Sequence, residues 1–220
     1  MLLLFQDNAS NGALTPCSGL TFGPMPYETQ APDAEVAFPQ GIASLIKSTQ
    51  GFQVIAHYLN ATNSPIMANV QIVMFKAQPG TITQHAGVFF LDNIGSLTPP
   101  FGGIPPMTTK TISASYTTSI PWNLLFAAGH MHSRTQSLIA TYGGTKLYES
   151  DSWDQSPLES FASPVQLPAG TQITWSCTVN NDTNMTLTFG ESAKTNEMCI
   201  FTGAYFPVPA AADPSILVNK

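Results

Sequence analysis

The chain is 220 residues long, 43% hydrophobic and only 9% charged, with 18 Pro, 16 Gly and a formal net charge of −6. Its seven Lys and Arg are spread from Lys47 to Lys220, which excludes the clustered basic footprint of a nucleic-acid binder. No apolar run reaches the roughly 18 residues that mark a membrane-spanning helix, and the length suffices for one large β domain or two small ones.

The polar complement is mostly Thr, Ser, Asn and Gln, which together with the Pro and Gly content favours short strands and many turns. The opening Met1-Leu-Leu-Leu-Phe5 is too short for a signal-peptide core and lacks a basic flank; it reads as a buried strand. A loop rich in Pro, Gly, Ser and Thr follows and holds Cys17. Residues 38–46 and 51–59 read as strands on either side of a polar turn. In the second, Gln53, Ile55 and His57 share one face. As a lone histidine, His57 reads first as a hydrogen-bonded, partly buried residue. Residues 60–65 form a turn by composition, and 68–75 alternate as a further strand. Ala77-Gln-Pro-Gly80 interrupts the pattern, which divides the chain into units 1–79 and 80–220.

In the second unit a strand-like run surrounds His85, which has no visible partner and reads as structural. Residues 92–107 are a long Pro- and Gly-rich loop, and 109–118 alternate as an exposed strand. After the strand of the next motif comes a clear hairpin, 137–142 and 145–149, about the Gly143-Gly144 turn. The segment from Trp153 to Leu158 either lines a pocket or plugs a sheet edge. A strand through Cys177, a turn at 180–184 and an apolar run from Met185 complete the order. Short strands at roughly 8 to 12-residue spacing, without an amphipathic helix, predict an all-β fold of antiparallel sandwich or jelly-roll type.

Two stretches carry chemistry: Phe126-Ala-Ala-Gly-His130-Met-His132-Ser and Thr195-Asn-Glu-Met198-Cys199. In a strand alternate side chains share a face, so His130 and His132 point the same way and Met131 the other. With Met198 brought alongside, two imidazoles and a thioether would make a soft site suited to copper. A His-x-His is often only a polar face, and a lone Met only core; both readings stay open on the residues alone. Other chemistries lack their signatures. There is no Gly-x-Ser-x-Gly elbow, Gly143-Gly-Thr-Lys lacks phosphate-loop spacing, and the acidic residues do not pair at short spacing.

Three cysteines leave one without a partner inside the chain. A bridge between Cys177 and Cys199 would staple two strands and fix the height of Met198; the alternative is two buried free thiols. The composition suits an oxidising compartment, where a bridge would persist. Sequons at Asn8, Asn60, Asn181 and Asn184 permit glycosylation.

The order of the His-x-His strand, the Trp153 segment, the Cys177 strand and Asn196-Glu-Met198-Cys199 resembles the copper type II, ascorbate-dependent monooxygenases. This family includes peptidylglycine α-hydroxylating monooxygenase and dopamine β-monooxygenase. The resemblance implies two jelly-roll domains, here a partial first and a complete second, and hydroxylation of a C–H bond with dioxygen. It implies catalytic copper on His130, His132 and Met198, and a disulfide between Cys177 and Cys199. Residues 54–58, Val-Ile-Ala-His-Tyr, resemble one motif of the second, electron-transferring copper site, which makes His57 a candidate ligand there. The adjacent His-His pair of that site has no counterpart. In the family it is followed by Met-Leu-Leu-Phe, so the chain reads as starting just past it, with a partner for Cys17 expected in the missing segment. This chain alone would then bind the second copper weakly or not at all. In the peptide-amidating members an Arg, an Asn and a Tyr hold the substrate carboxylate; the matching positions here are Ala128, Ile200 and Thr202.

The expectation is a copper-dependent monooxygenase acting on a non-peptide small molecule with dioxygen and a reductant such as ascorbate. It is placed outside the cell, in the periplasm or in the secretory pathway. The alternative is a non-catalytic, single-site copper-binding protein; a third is a sandwich with no metal.

Overall fold

Burial alternates with a period of two along the chain, the signature of strands with one face against a core. The computed structural model describes residues 2–7, 25–29, 33–56, 58, 60, 62–208 and 215–218. Cys17, His57 and the Asn8 sequon lie outside the described residues. The strands are β1 (Leu2–Asp7), β2 (Tyr27–Glu28), β3 (Ile42–Ser44), β4 (Gln50–Ile55), β5 (Gln84–Asp92), β6 (Thr108–Thr117) and β7 (Trp122–Met131). They continue with β8 (Thr135–Tyr142), β9 (Thr145–Ser150), β10 (Glu159–Leu167), β11 (Gln172–Asn181), β12 (Cys199–Phe206) and β13 (Ser215–Val218). A single turn of helix, α1 (Ile94–Leu97), interrupts the loop after β5.

The strands form three sheets. A small one has the order β2-β1-β4, a larger one the order β10-β7-β12-β5-β13 with β3 also on β5, and a third the order β6-β11-β8-β9. Pairing is antiparallel throughout except where β3 and β13 run parallel to β5. The second and third sheets pack face to face, so the chain is an all-β sandwich. Its interior joins Phe89, Leu91, Leu124 and Phe201 of one sheet to Leu138, Ile173, Trp175 and Cys177 of the other. Trp122 anchors it, stacked on Tyr205 at 4.3 Å and on Phe89 at 5.1 Å between ring centres.

Where three strands meet an aromatic there is no room for a side chain at the centre. A Cβ on Gly203 of β12 would lie 2.3 Å from the Phe126 carbonyl oxygen and 2.8 Å from the Phe89 ring. Gly203→Ala should therefore destabilise the fold by about 1–3 kcal/mol, since overpacking a core forces backbone to move. Chemical denaturation with an unchanged midpoint would contradict this.

Several expectations meet the structure directly. The hairpin about Gly143 and Gly144 is present, with both glycines at positive φ (51° and 81°) as a tight turn requires. The opening segment is a strand, β1, paired with β4. The two strands expected across the turn at 47–50 form, but they do not pair with each other: β3 lies on β5 and β4 on β1. The strand expected at 68–75 is absent; that stretch is irregular, and Val73 and Phe75 are 64% and 87% exposed. Alternation specifies which residues share a face but not that a neighbouring strand will be there to pair. The sequons also separate. Asn60 and Asn184 are exposed, whereas Asn181 is fully buried, its Nδ2 donating to the carbonyls of Ile104, Pro105 and Met185 at 2.8–2.9 Å. That nitrogen is out of reach of a sugar in the folded chain.

Candidate metal centre

Strand β7 ends in the His-x-His segment, and its partner β12 begins just after Met198. The antiparallel register sets Ile200 opposite His130 and Cys199 opposite Met131. Residues facing each other across a rung share a side of the sheet. Met131 and Cys199 point into the sandwich core, so His130, Ile200 and, by alternation, His132 and Met198 belong to the outer face of the larger sheet.

The two imidazoles meet there. Their ring centres are 5.2 Å apart and the ring planes lie at 82° to each other. Two imidazoles sharing one ion tetrahedrally, each through a metal–nitrogen bond of about 2 Å, hold their centres about 5 Å apart. The spacing fits a shared ion.

His132 is 4% exposed, and its Nδ1 lies 3.1 Å from the carbonyl oxygen of Asn196. A carbonyl can only accept, so Nδ1 carries the proton and donates, which makes Nε2 the basic nitrogen of the ring. Metal-bound histidines are commonly oriented by such a bond on the other ring nitrogen.

Met198 is 5% exposed and packs with Met25, Phe90 and Ile200, with Ile55 and Phe189 alongside. A thioether in apolar surroundings is a soft, neutral donor. Directly behind it the disulfide Cys177–Cys199 crosses from β11 to β12, joining the two sheets with Cα atoms 6.0 Å apart. The pairing expected from the cysteines is present, and it pins the first residue of β12 to the opposite sheet.

The loop before Met198 is latched to the turn after His132. Ser133 Oγ donates to the Ala193 carbonyl at 2.6 Å, Arg134 Nη1 to the Lys194 carbonyl, and Arg134 Nε to Asp182 at 2.8 Å. Glu197, fully buried, lies between them. Its Oε1 accepts from the main-chain N–H of His132 at 2.7 Å and from that of Met198 at 3.0 Å. Burial raises its pKa, and those two N–H groups, the nearby Thr135 hydroxyl and Arg134 offset only part of the rise. The Thr135 hydroxyl and Glu197 Oε2 are both buried without a hydrogen bond among the described residues.

Among the described residues no group of three or more His, Cys, Asp or Glu side chains gathers as a metal cage. The expected site, two imidazoles and a thioether, is not such a group. His57 cannot be placed, because it lies outside the described residues; Ile55, two positions earlier, packs beside the Met198 cluster. His85 is in β5 and partly buried, away from the clamp strand.

The outer face beside His130 mixes Ala128 and Ile200 with Thr202 and Asp92. Ala128 pairs with Thr202, whose hydroxyl is engaged by the Phe89 carbonyl at 2.8 Å, and Ile200 is buried. These positions offer neither cation nor phenol for a carboxylate. Two hollows of about 590 and 560 Å³ lie over the β8–β9 hairpin and its neighbours, and no clamp residue lines either.

Asp92 shares the row, opposite Ile200 on the next strand. Its Oδ1 accepts from the Ile94 N–H at 3.0 Å while Oδ2 is buried without a hydrogen bond, and burial raises its pKa despite the Ile94 contact. An acid whose folded pKa exceeds its unfolded one opposes folding once ionised. The penalty is absent below the unfolded value of about 3.9 and is complete above the folded one. Asp92→Asn should therefore gain on the wild type in thermal unfolding as pH rises from about 3 to 7. Parallel melting curves across that range would refute the assignment.

No family model matches the chain, and no curated protein matches it significantly. Asn196 and Glu197 stood in plain view beside Met198, but nothing local marks a carboxylate that reaches a main chain 65 residues away.

Proposed function

We propose that this chain is the copper-holding sandwich of a copper- and ascorbate-dependent monooxygenase, with the jelly-roll connectivity of that family. His130, His132 and Met198 are the ligands. The observation that carries the reading is the His132 ring, whose Nδ1–H is committed to the Asn196 carbonyl beside a second imidazole on the same face.

When bound, copper supplies one-electron chemistry toward dioxygen and the hydroxylation of a C–H bond, with electrons from ascorbate. The chain's own residues prepare that site. Asn196 sets the tautomer of His132, and the Cys177–Cys199 bridge holds the start of β12 in place beside β7. Phe90, Ile200 and Met25 keep water from the Met198 side chain. A two-imidazole, one-thioether set is electron-rich and neutral, so it favours Cu(I) and leaves a position for dioxygen. The substrate is a small, non-peptide molecule without a carboxylate to bind, because Ala128, Ile200 and Thr202 present no charge. The disulfide supports an oxidising location, extracellular, periplasmic or secretory.

The absence of a cation or phenol at Ala128, Ile200 and Thr202 favours a second reading, a copper-binding protein without oxidation chemistry. Copper titration followed by X-ray absorption and EPR, then ascorbate-dependent oxygen uptake, separates the two. One tightly held copper with nitrogen and sulfur scattering supports the site, and oxygen uptake supports the enzyme. Copper without uptake, tested in the full gene product, leaves the carrier. No bound copper ends both.

A further inference from the structure

The geometry points to Glu197 as a positioning residue that sets the distance between the nitrogen and sulfur donors of the clamp, an inference that rests on the copper reading above. The β7–β12 ladder stops one rung short of His132 and Met198, at Met131 and Cys199. Past that rung the His132 N–H donates to a side chain. A single carboxylate oxygen accepts it, and accepts the Met198 N–H as well.

The consequence is a rigid three-residue unit. Asn196 holds the ring of His132, Glu197 holds its main chain, and Met198 is the sulfur donor, all consecutive in sequence. One carboxyl oxygen that accepts from both main chains fixes their separation. Burying an acid is costly, and here the contacts that repay it go to the main chains of two ligands. The other latches, Ser133 to Ala193 and Arg134 to Lys194, hold the outer part of the loop. Loss of Glu197 would leave those in place while freeing Met198 to move relative to His132.

The test uses the full disulfide-bonded chain and Cu(I) alone. Three properties are measured for the wild type, Glu197→Gln and Glu197→Ala: Cu(I) affinity by chelator competition, the copper–sulfur shell by X-ray absorption, and amide exchange at His132 and Met198 in the metal-free protein. Gln keeps the Oε1 acceptor and turns its amide toward Thr135, so it should match the wild type in affinity and sulfur shell. Ala should lose amide protection at both positions, weaken Cu(I) binding by about 10- to 100-fold and lose the sulfur shell. An Ala variant with the wild-type sulfur shell and affinity overturns the role. If Ala does not fold, Gln decides: a Gln variant that fails to fold, or folds without the sulfur contact, overturns it, since charge and not the placement of Oε1 would then matter. A wild type with protected amides that takes up no Cu(I) overturns the copper reading instead, while leaving the hydrogen-bonded unit as a structural fact.

Discussion

Met198→Ile should abolish hydroxylation and remove sulfur from the copper's surroundings while leaving the sandwich folded. The side chain is nearly buried among Met25, Phe90 and Ile200, and Ile occupies a similar volume without a donor atom. Hydrophobic swaps that conserve volume usually cost less than about 1.5 kcal/mol. Removing the thioether, by contrast, leaves only the two imidazoles, and these alone do not single out Cu(I). The check is a pair of measurements on one preparation: thermal unfolding close to the wild type, and X-ray absorption with nitrogen scattering only. Normal turnover, or a sulfur shell that persists, would count against Met198 as a ligand.

Replacing Cys177 and Cys199 together by Ala should lower stability by about 3 kcal/mol, the chain-entropy value for a loop with a separation of 22 residues. For a domain of this size that corresponds to a fall in Tm of roughly 6–12 °C. Both thiols are fully enclosed in the sandwich core, so Ala also leaves two small voids, which adds to the loss. The bridge ties the first residue of β12 to the opposite sheet, next to Met198. Cu(I) affinity should therefore fall along with stability, and reduction of the wild type by a strong thiol reagent should reproduce both changes. A double variant with wild-type Tm would mean that the sheets hold the start of β12 without the bridge.

The two effects differ in kind, which makes the pair informative. Met198 changes the donor set and spares the fold, whereas the cysteines change the frame and spare the donors. Glu197→Ala falls between, with the donors and the bridge present but their relative placement released. Ordered by metal affinity at matched folding, the three variants separate chemistry from support.

What could be read before any coordinates followed from local rules. A period of two puts His130 and His132 on one face and Met131 on the other, and it marks β7 and β11 as half-buried strands. Two consecutive glycines between alternating runs announce the β8–β9 hairpin. The residue types of the two stretches allow a soft metal site without requiring one. None of this depends on what lies next to the strand.

Which strand becomes a neighbour, and in what register, is a non-local matter, and there the tertiary structure alone decided. Met198 could have been placed anywhere until β12 paired with β7 with Ile200 opposite His130. The alternating run at 68–75 has the pattern of a strand, yet it is not in one, since a pattern supplies a face and hydrogen bonds need a partner. Asn181 carries a sequon, and only folding turned its amide inward. Glu197 is ordinary as a letter in the chain; it becomes the joint between two ligands because the ladder ends one rung early and the His132 N–H, shut away from water, needs an acceptor.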